Sequence, residues 1–214
     1  MDNALDIATE FLTDAEIESL GKHLDKYKEL HERDAHQNSF LDFVNHVWPS
    51  FITGNHHKIF ADKLERVANG ELKRLIVNMP PRHTKSEFAS YLFPAWVMGK
   101  SPSTKIIQAT HTAELAVGFG RKVKNLLDSD IYRDVFPKME LAKDAKASGR
   151  WSTNEGGEYY AVGVGGALAG RGANLCIIDD PVSEQDALSP TALDNIYEWY
   201  TSGPRQRLQP GGSI

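Results

Sequence analysis

The segment 79–86 (MPPRHTKS) carries the residue types of a phosphate-binding loop. It ends in Lys85 and Ser86, which match the last two positions of the pattern G-x-x-x-x-G-K-[ST]. In that pattern the lysine reaches the β- and γ-phosphates of a nucleotide, and the hydroxyl binds Mg²⁺. Met79 and Thr84 occupy the two positions where glycine normally allows a positive φ and a close approach to phosphate. Taken alone, the segment is equally well interpreted as a basic helix start on a solvated surface.

Two adjacent carboxylates, Asp179 and Asp180, follow the apolar run 175–178 (LCII). In phosphate-loop ATPases an acid at such a strand end holds Mg²⁺. A neighbouring acid can activate the attacking water as a general base. The alternative is an aspartate that caps a turn after a buried strand. The two segments together indicate a nucleotide site more specifically than either does alone. Few other folds need four such polar groups, those of Lys85, Ser86 and the two acids, at one edge of a sheet.

The order of the predicted elements brings these two segments to the same edge of a sheet. From residue 72 onward, short apolar runs alternate with helical periodicity, which predicts an α/β fold with a mostly parallel sheet covered on both faces. Ligands of such sheets bind at the carboxyl ends of the strands. The predicted strands are 74–78, 105–109 and 175–178, with one or two hairpins within 151–172, and the predicted helices are 84–98, 112–127 and 189–201.

Helical periodicity also dominates the chain before residue 72. It predicts helices at 13–35, 40–47 and 57–68, and Thr13 and Glu16 have the spacing of a capping box. His56 and His57 stand at the start of the third of these helices, where a solvated or capping role is favoured over catalysis. The first two of these helices belong to a predicted N-terminal helical region at 1–54, which is followed by a predicted α/β domain at 55–214.

Composition narrows the class of protein further. The net charge of −5 argues against a protein that coats nucleic acid through an overall basic surface. A local basic track remains open on the predicted helix face with Arg121, Lys122 and Lys124, although a solvated face explains it equally well. Cys176 is the only cysteine, which excludes an internal disulfide and a thiolate metal cluster. The acidic start of the chain lacks a signal-peptide layout and no apolar run is long enough to span a membrane, so a cytosolic location is the simplest expectation.

Longer stretches of the chain resemble the terminase large subunit family of tailed phages and prophages. They cover roughly residues 55–214 and read HHKIFADKLERVANGELKRLIVNMPPRHTKSE, FPAWVMGKSPSTKIIQATHTAELAVGFGRKV, GRWSTNEGGEYYAVGVGGALAGRGANLCIIDDP and NIYEWYTSGPRQRLQPGGSI. The resemblance implies a P-loop NTPase fold of the ASCE type and an ATPase that pumps double-stranded DNA into a prohead. Family members often have loops of the R-H-[ST]-K-S kind, which accounts for the two missing glycines.

The resemblance implies a role for each residue of the two segments. Arg82 and Lys85 would contact the triphosphate of ATP, and Ser86 and Asp179 would hold Mg²⁺. Asp180 would be the general base, at a position where many related motors have the longer glutamate. The implied cofactor-binding residues are Pro81, Arg82, His83, Thr84, Lys85 and Ser86.

Arginines outside the loop are further candidates for catalysis. A neighbouring subunit often supplies an arginine that stabilises the transition state of phosphoryl transfer. Arg150 and Arg171, which flank the predicted hairpin region, are the candidates for that role, in addition to Arg82 in the loop. The alternative is that both are ordinary surface arginines.

The resemblance also implies the setting in which the protein works. The expected partners are double-stranded DNA, the portal protein of the prohead and the small terminase subunit, with a homo-oligomeric ring in the host cytoplasm and no membrane. In the family the chain continues beyond the equivalent of Ile214 with a strand and a nuclease domain, so no nuclease activity is expected from these residues. Two other functions stay open: a nucleotide-binding or assembly module without turnover, and a helicase-like translocase, although helicases usually carry a second motor domain.

Overall fold

A computed structural model describes residues 12–214, so the first part of the predicted N-terminal region, 1–11, lies outside the described residues. The fold is α/β, with a five-stranded mixed sheet in the order β2-β3-β1-β4-β5. Strand β1 pairs in parallel with β3 and β4, β4 pairs in parallel with β5, and β2 runs antiparallel to β3. The strands are β1 (Lys105–Thr110), β2 (Arg150–Ser152), β3 (Glu158–Gly163), β4 (Ala173–Ile178) and β5 (Leu208–Ser213).

Helices precede and connect the strands. The helices are α1 (Asp14–Asn38), α2 (Phe40–Val47), α3 (Asn55–Ala68), α4 (Phe93–Lys100), α5 (Ala113–Leu127), α6 (Asp130–Val135), α7 (Pro190–Ser202) and α8 (Pro204–Arg207). A helix that starts at Lys85 runs through the π-helical turns Glu87–Leu92 directly into α4. Asp186–Leu188 forms a short 3₁₀ turn. None of the helices between residues 12 and 214 combines the length and the hydropathy that a membrane crossing requires.

The N-terminal helices begin as their sequences predict. At the start of α1 the Thr13 hydroxyl accepts from the Glu16 N–H, and the Glu16 carboxylate accepts from the Thr13 N–H at 2.8 Å, which confirms the capping box. Helix α1 buries none of its residues. Helix α2 instead buries Phe40 and Phe43 in the same core as Phe88. The region predicted as 1–54 therefore shares its packing with the α/β part through α2.

The sheet separates a large core from a small one. Successive strand residues point to opposite faces, so Ile106 lies in the large core and Ile107 in the small one. Trp96 and Tyr159 are fully buried on the large side. On the other face, Cys176 packs in a cluster against which Trp199 of α7 rests. The prediction that both faces are covered is confirmed.

The predicted strand at 74–78 is wrong as a strand. Within this segment only the Leu75 N–H is hydrogen-bonded to the backbone of another part of residues 12–214, to Ile214 O at 3.0 Å, and the return bond from Ile214 N–H at 3.1 Å goes to Lys73 O, just before the segment. The physical reason is that a strand needs a neighbour along its length, and within residues 12–214 no backbone partner continues beside 76–78. Ile76 is consequently 88% exposed.

The remaining predicted elements are present with small shifts at their ends. The hairpin region contains the antiparallel pair β2–β3. Sequence patterns did not predict α6, α8 or β5. The sequence of β5, LQPGGS, contains a proline and two glycines, which favour a turn over a strand. The π-helical turns are also absent from the prediction, because an apolar run such as EFASYL has the same periodicity signal as an ordinary buried helix.

Candidate functional site

The Lys85 segment and the acids at 179 and 180 lie in contact. The Lys85 ammonium nitrogen is 2.5 Å from Asp180 Oδ1 and 3.3 Å from Asp179 Oδ1. The lysine and Asp180 are 95 positions apart in the chain. The structure therefore brings together the two segments that the sequence singled out separately.

The end of β4 fixes where the two acids lie. The Asp179 N–H donates to Ala109 O at 2.9 Å, and the His111 N–H donates to Asp180 O at 3.3 Å. These bonds extend the β1–β4 pairing past the last strand residue. Both acids are thus held at the carboxyl edge of the parallel strands, which is the edge where ligands of such sheets bind.

The backbone of the loop before Lys85 adopts the left-handed conformation twice. Arg82 has φ 63° and Thr84 has φ 61°. Thr84 stands at the second glycine position of the phosphate-loop pattern, so its backbone has the kind of conformation that glycine normally supplies there. A left-handed conformation is costly for a branched side chain, about 1–2 kcal/mol. The helix that starts at Lys85 adds N–H groups without intrahelical partners, as every helix start does.

Asp179 is a buried carboxylate with a supporting network. It is 6% exposed and accepts a hydrogen bond from Ser90 Oγ at 2.9 Å. Gln108 Nε2 in turn donates to Ser90 Oγ at 3.2 Å. A buried charge is costly unless it is paired and hydrogen-bonded, and Lys85 and Ser90 meet that requirement here. Sequence analysis predicted Lys85 but missed Ser90 and Gln108, although a serine inside the mainly apolar segment EFASYL was a usable signal.

The two acids have different environments. The side chain of Asp180 is 65% exposed and that of Asp179 is 7% exposed. Asp180 also has a left-handed backbone, with φ 44°. A buried, fixed carboxylate suits metal support, whereas an exposed carboxylate has access to the water that a general base must activate.

Lys85 remains charged in this arrangement. Burial lowers the pKa of Lys85, but the hydrogen bond from Lys85 to Asp180 and the charge of Asp179 outweigh burial and raise this pKa above its ordinary value. One ammonium and two carboxylates leave an excess of one negative charge in the cluster. A polyphosphate could therefore enter only with a cation that offsets its own charge and that of the acids.

The donor set fits Mg²⁺ bound together with phosphate. Within residues 12–214, no group of three or more His, Cys, Asp or Glu side chains could hold a metal ion. Mg²⁺ keeps several waters and is commonly held by one or two carboxylates plus the phosphates of a substrate. Asp179 and the hydroxyl of Ser86, the residue after Lys85, would be oxygen ligands of that kind.

The two arginines predicted outside the loop do not reach this cluster. Arg171 lies 3.5 Å from Glu158 Oε2, and its guanidinium stacks 4.8 Å from the ring centroid of Tyr160. Glu158 begins β3, so Arg171 is held at the amino edge of the sheet, roughly 17 Å from the other edge at about 3.3 Å per residue. Arg150 is exposed and lies in β2, the outermost strand on the far side of β3. Action in a neighbouring subunit stays a prediction for both.

Two of the three basic residues on α5 are engaged within the molecule. Lys122 pairs with Glu87 at 2.9 Å and also lies over the ring of Tyr91. Lys124 donates to the carbonyl of Ala145. Only Arg121 of this group lacks such a contact within residues 12–214, so the predicted basic track is less available for DNA than its sequence indicated.

Comparison with protein-family models finds no match to this chain, and comparison with curated proteins finds none either. The chemistry assigned to the cluster therefore depends on its geometry and on the sequence motifs that supply its residues.

Proposed function

We propose that this chain is the ATPase motor domain of a phage terminase large subunit, which hydrolyses ATP to drive packaging of viral double-stranded DNA into the prohead. The observation that carries the proposal is the contact of Lys85 with Asp179 and Asp180. A loop lysine, two strand-end acids and a left-handed residue at the glycine position are the features that a phosphate-loop ATPase requires. The sequence resemblance supplies the packaging role.

The proposed reaction begins with an exchange of partners at Lys85. Its ammonium leaves the two acids and contacts the β- and γ-phosphates, while Arg82 contacts the triphosphate from the loop. Ser86 and Asp179 would hold Mg²⁺, and a bound Mg²⁺ would supply positive charge at the phosphate oxygens. Asp179 is already fixed for this role by its hydrogen bond with Ser90.

The same exchange frees Asp180 for proton transfer. In the structure, the carboxylate of Asp180 is bound by Lys85 at 2.5 Å. Once the lysine contacts phosphate, Asp180 accepts a proton from the attacking water, which then attacks the γ-phosphorus. The bond between the γ-phosphorus and the β–γ bridging oxygen breaks, and ADP leaves with the electrons of that bond. Lys85 thereby couples occupancy of the site to activation of the base.

Removal of the loop lysine is the direct test of the site. We expect Lys85→Ala to abolish binding of a fluorescent ATP analogue, measured by anisotropy with Mg²⁺ present. The matched control is Lys105→Ala, because Lys105 also pairs with a carboxylate, Glu158, at 2.8 Å but lies at the opposite edge of the sheet. The control should bind as the parent does. Unchanged affinity in Lys85→Ala would exclude this site.

A nucleotide-binding module without turnover is the second candidate. It is favoured by one observation, namely that neither Arg150 nor Arg171 contacts the Lys85 cluster of its own chain. Release of phosphate from ATP separates the two functions, because the module would bind ATP without releasing phosphate at any protein concentration.

A further inference from the structure

His57 links the start of helix α3 to the loop that contains Thr84. Its Nδ1 accepts a hydrogen bond from the Gly54 N–H at 2.8 Å, which confirms a capping role for this residue. Its Nε2 lies 2.9 Å from Thr84 Oγ1, although the two residues are 27 positions apart. Capping the helix involves only Nδ1, so the second ring nitrogen, Nε2, is available for the contact with the loop.

The direction of these hydrogen bonds follows from their donors. A backbone N–H can only donate, so Nδ1 of His57 carries no proton, and the neutral ring has its proton on Nε2. Nε2–H therefore donates to Thr84 Oγ1. The Thr84 hydroxyl in turn donates to its neighbour's carbonyl, His83 O, at 2.7 Å. The side chain of Thr84 is thus fixed from both sides.

The histidine ring itself has little freedom to move. His57 is 6% exposed, and its ring centroid lies 4.7 Å from that of Phe51 and 5.3 Å from that of Phe88. Burial lowers the pKa of His57, and the neighbouring His56 and His83 lower it further. Both effects favour the neutral ring, which is the form that the two hydrogen bonds require.

We propose that His57 is a positioning residue that holds Thr84 in the left-handed conformation which glycine gives to a phosphate loop. A branched residue adopts φ 61° only where its surroundings fix it, and the bond from His57 is the long-range contact that fixes this one. The chain thereby replaces an intrinsic property of glycine with a tertiary contact. This inference rests on the proposed nucleotide site.

A double-mutant cycle in Mg-ATP binding tests the proposal. His57→Phe keeps an aromatic ring between Phe51 and Phe88 and removes both hydrogen bonds. We expect it to weaken binding roughly tenfold, within the range of coupling between contacting residues. In a Thr84→Gly background the same change should have almost no effect, because glycine needs no external support for a positive φ. His23→Phe, which removes a histidine hydrogen bond to Ser19 O at 2.7 Å on the exposed helix α1, is the matched control.

Two variants at the loop keep the test decisive even if His57→Phe does not fold. Thr84→Val keeps the branched shape and loses the hydroxyl, so it should bind ATP about as weakly as His57→Phe, while Thr84→Gly should bind more tightly than Thr84→Val. Equal losses from His57→Phe in both backgrounds would overturn the proposal, and so would equal binding by Thr84→Val and Thr84→Gly.

A second cycle without nucleotide separates this inference from the proposed function. Thermal unfolding of the same variants should show that the loss caused by His57→Phe is smaller in the Thr84→Gly background. If the parent chain does not bind ATP, the proposed function fails, but this cycle still tests the His57–Thr84 contact. Additive changes in Tm would overturn the inference even for a chain that binds ATP well.

Discussion

Lys85 contacts two carboxylates that differ in exposure and therefore in what each can do. Asp179 is fixed by Ser90 and has almost no access to solvent, whereas the largely exposed carboxylate of Asp180 is bound by the lysine alone among the side chains of residues 12–214. A residue that holds a metal needs a fixed oxygen. A general base needs contact with water and a partner that can leave.

Separate substitutions of the two acids should separate binding from turnover. Asp179→Ala should weaken Mg²⁺-dependent ATP binding, because it removes the buried oxygen ligand. Asp180→Asn should leave binding close to that of the parent and reduce phosphate release by a factor of about 10²–10⁴, the usual contribution of a general base. Binding by titration calorimetry and phosphate release by a coupled assay measure the two effects.

The assignment of the base has a clear counter-result. If Asp180→Asn hydrolyses ATP at the parent rate, Asp180 does not activate the water. If Asp179→Ala binds Mg-ATP as the parent does, the buried acid serves the ion pair with Lys85 and not the metal.

The π-helical turns after the loop place Ser90 against Asp179. Ser90 is fully buried. Its hydroxyl donates a hydrogen bond to Asp179 and accepts one from the side-chain amide of Gln108. π-helical turns inside an α-helix occur frequently at functional sites. The π-helical turns therefore contribute a hydrogen bond to Asp179 at the end of β4, 89 positions further along the chain from Ser90, in addition to packing in the core.

Removal of the Ser90 hydroxyl should destabilise the fold and loosen the acid. We expect Ser90→Ala to lower the free energy of unfolding by about 1–3 kcal/mol, the cost of leaving buried polar groups without a partner. Ser202→Ala is the matched control, since Ser202 Oγ donates to Glu198 O on an exposed helix face. Urea denaturation measures both variants. An effect of Ser90→Ala no larger than that of the control would contradict the prediction.

The sequence predicted the elements whose signal is local and missed those that depend on distant partners. Helix α2 has the predicted bounds, and the capping box of α1 is present. Strand β5 could not be predicted, because its pairing with β4 overrides the turn preference of its proline and glycines. The predicted strand at 74–78 was wrong for the opposite reason. The segment has residue types that favour a strand, but it lacks a backbone neighbour along its length among residues 12–214.

The candidate site shows the same limit at the level of side chains. Lys85, Asp179 and Asp180 were found because their types follow a known pattern at strand ends. The contact of His57 with Thr84 and that of Ser90 with Asp179 each join residues far apart in the chain, and a single sequence does not reveal such pairs.

The two edges of the sheet carry different charged side chains. The carboxyl edge holds the Lys85 cluster, and the amino edge holds Arg171 with Glu158 and Lys105. Arg171 would have to leave Glu158 to reach another molecule. The exposed Arg150 is free of such a pair within residues 12–214, which makes it the stronger candidate for an arginine that acts on a neighbouring subunit.

Turnover should therefore depend on assembly. We expect phosphate release per chain to rise steeply with protein concentration, because an arginine supplied by a neighbour contributes a factor of about 10³–10⁵ in related enzymes. Arg150→Ala or Arg171→Ala should remove this rise without weakening ATP binding. Arg133→Ala, which disrupts only surface pairs with Asp128 and Asp130, should retain it.

The opposite result would be a full rate in dilute, monomeric protein that neither arginine substitution changes. The site would then be complete within one chain, and Arg82 would be the only arginine required.

The burial of Cys176 makes this chain a convenient subject for site-directed labelling. Burial raises the pKa of this thiol to about 12, and only the thiolate reacts with maleimide or iodoacetamide reagents. No other cysteine is present in the sequence. A single cysteine introduced at the exposed Ile76, in the segment that leads into the Lys85 loop, should therefore take a fluorophore or spin label selectively in the otherwise native chain. Movements of the loop can then be followed in solution without first removing the natural cysteine.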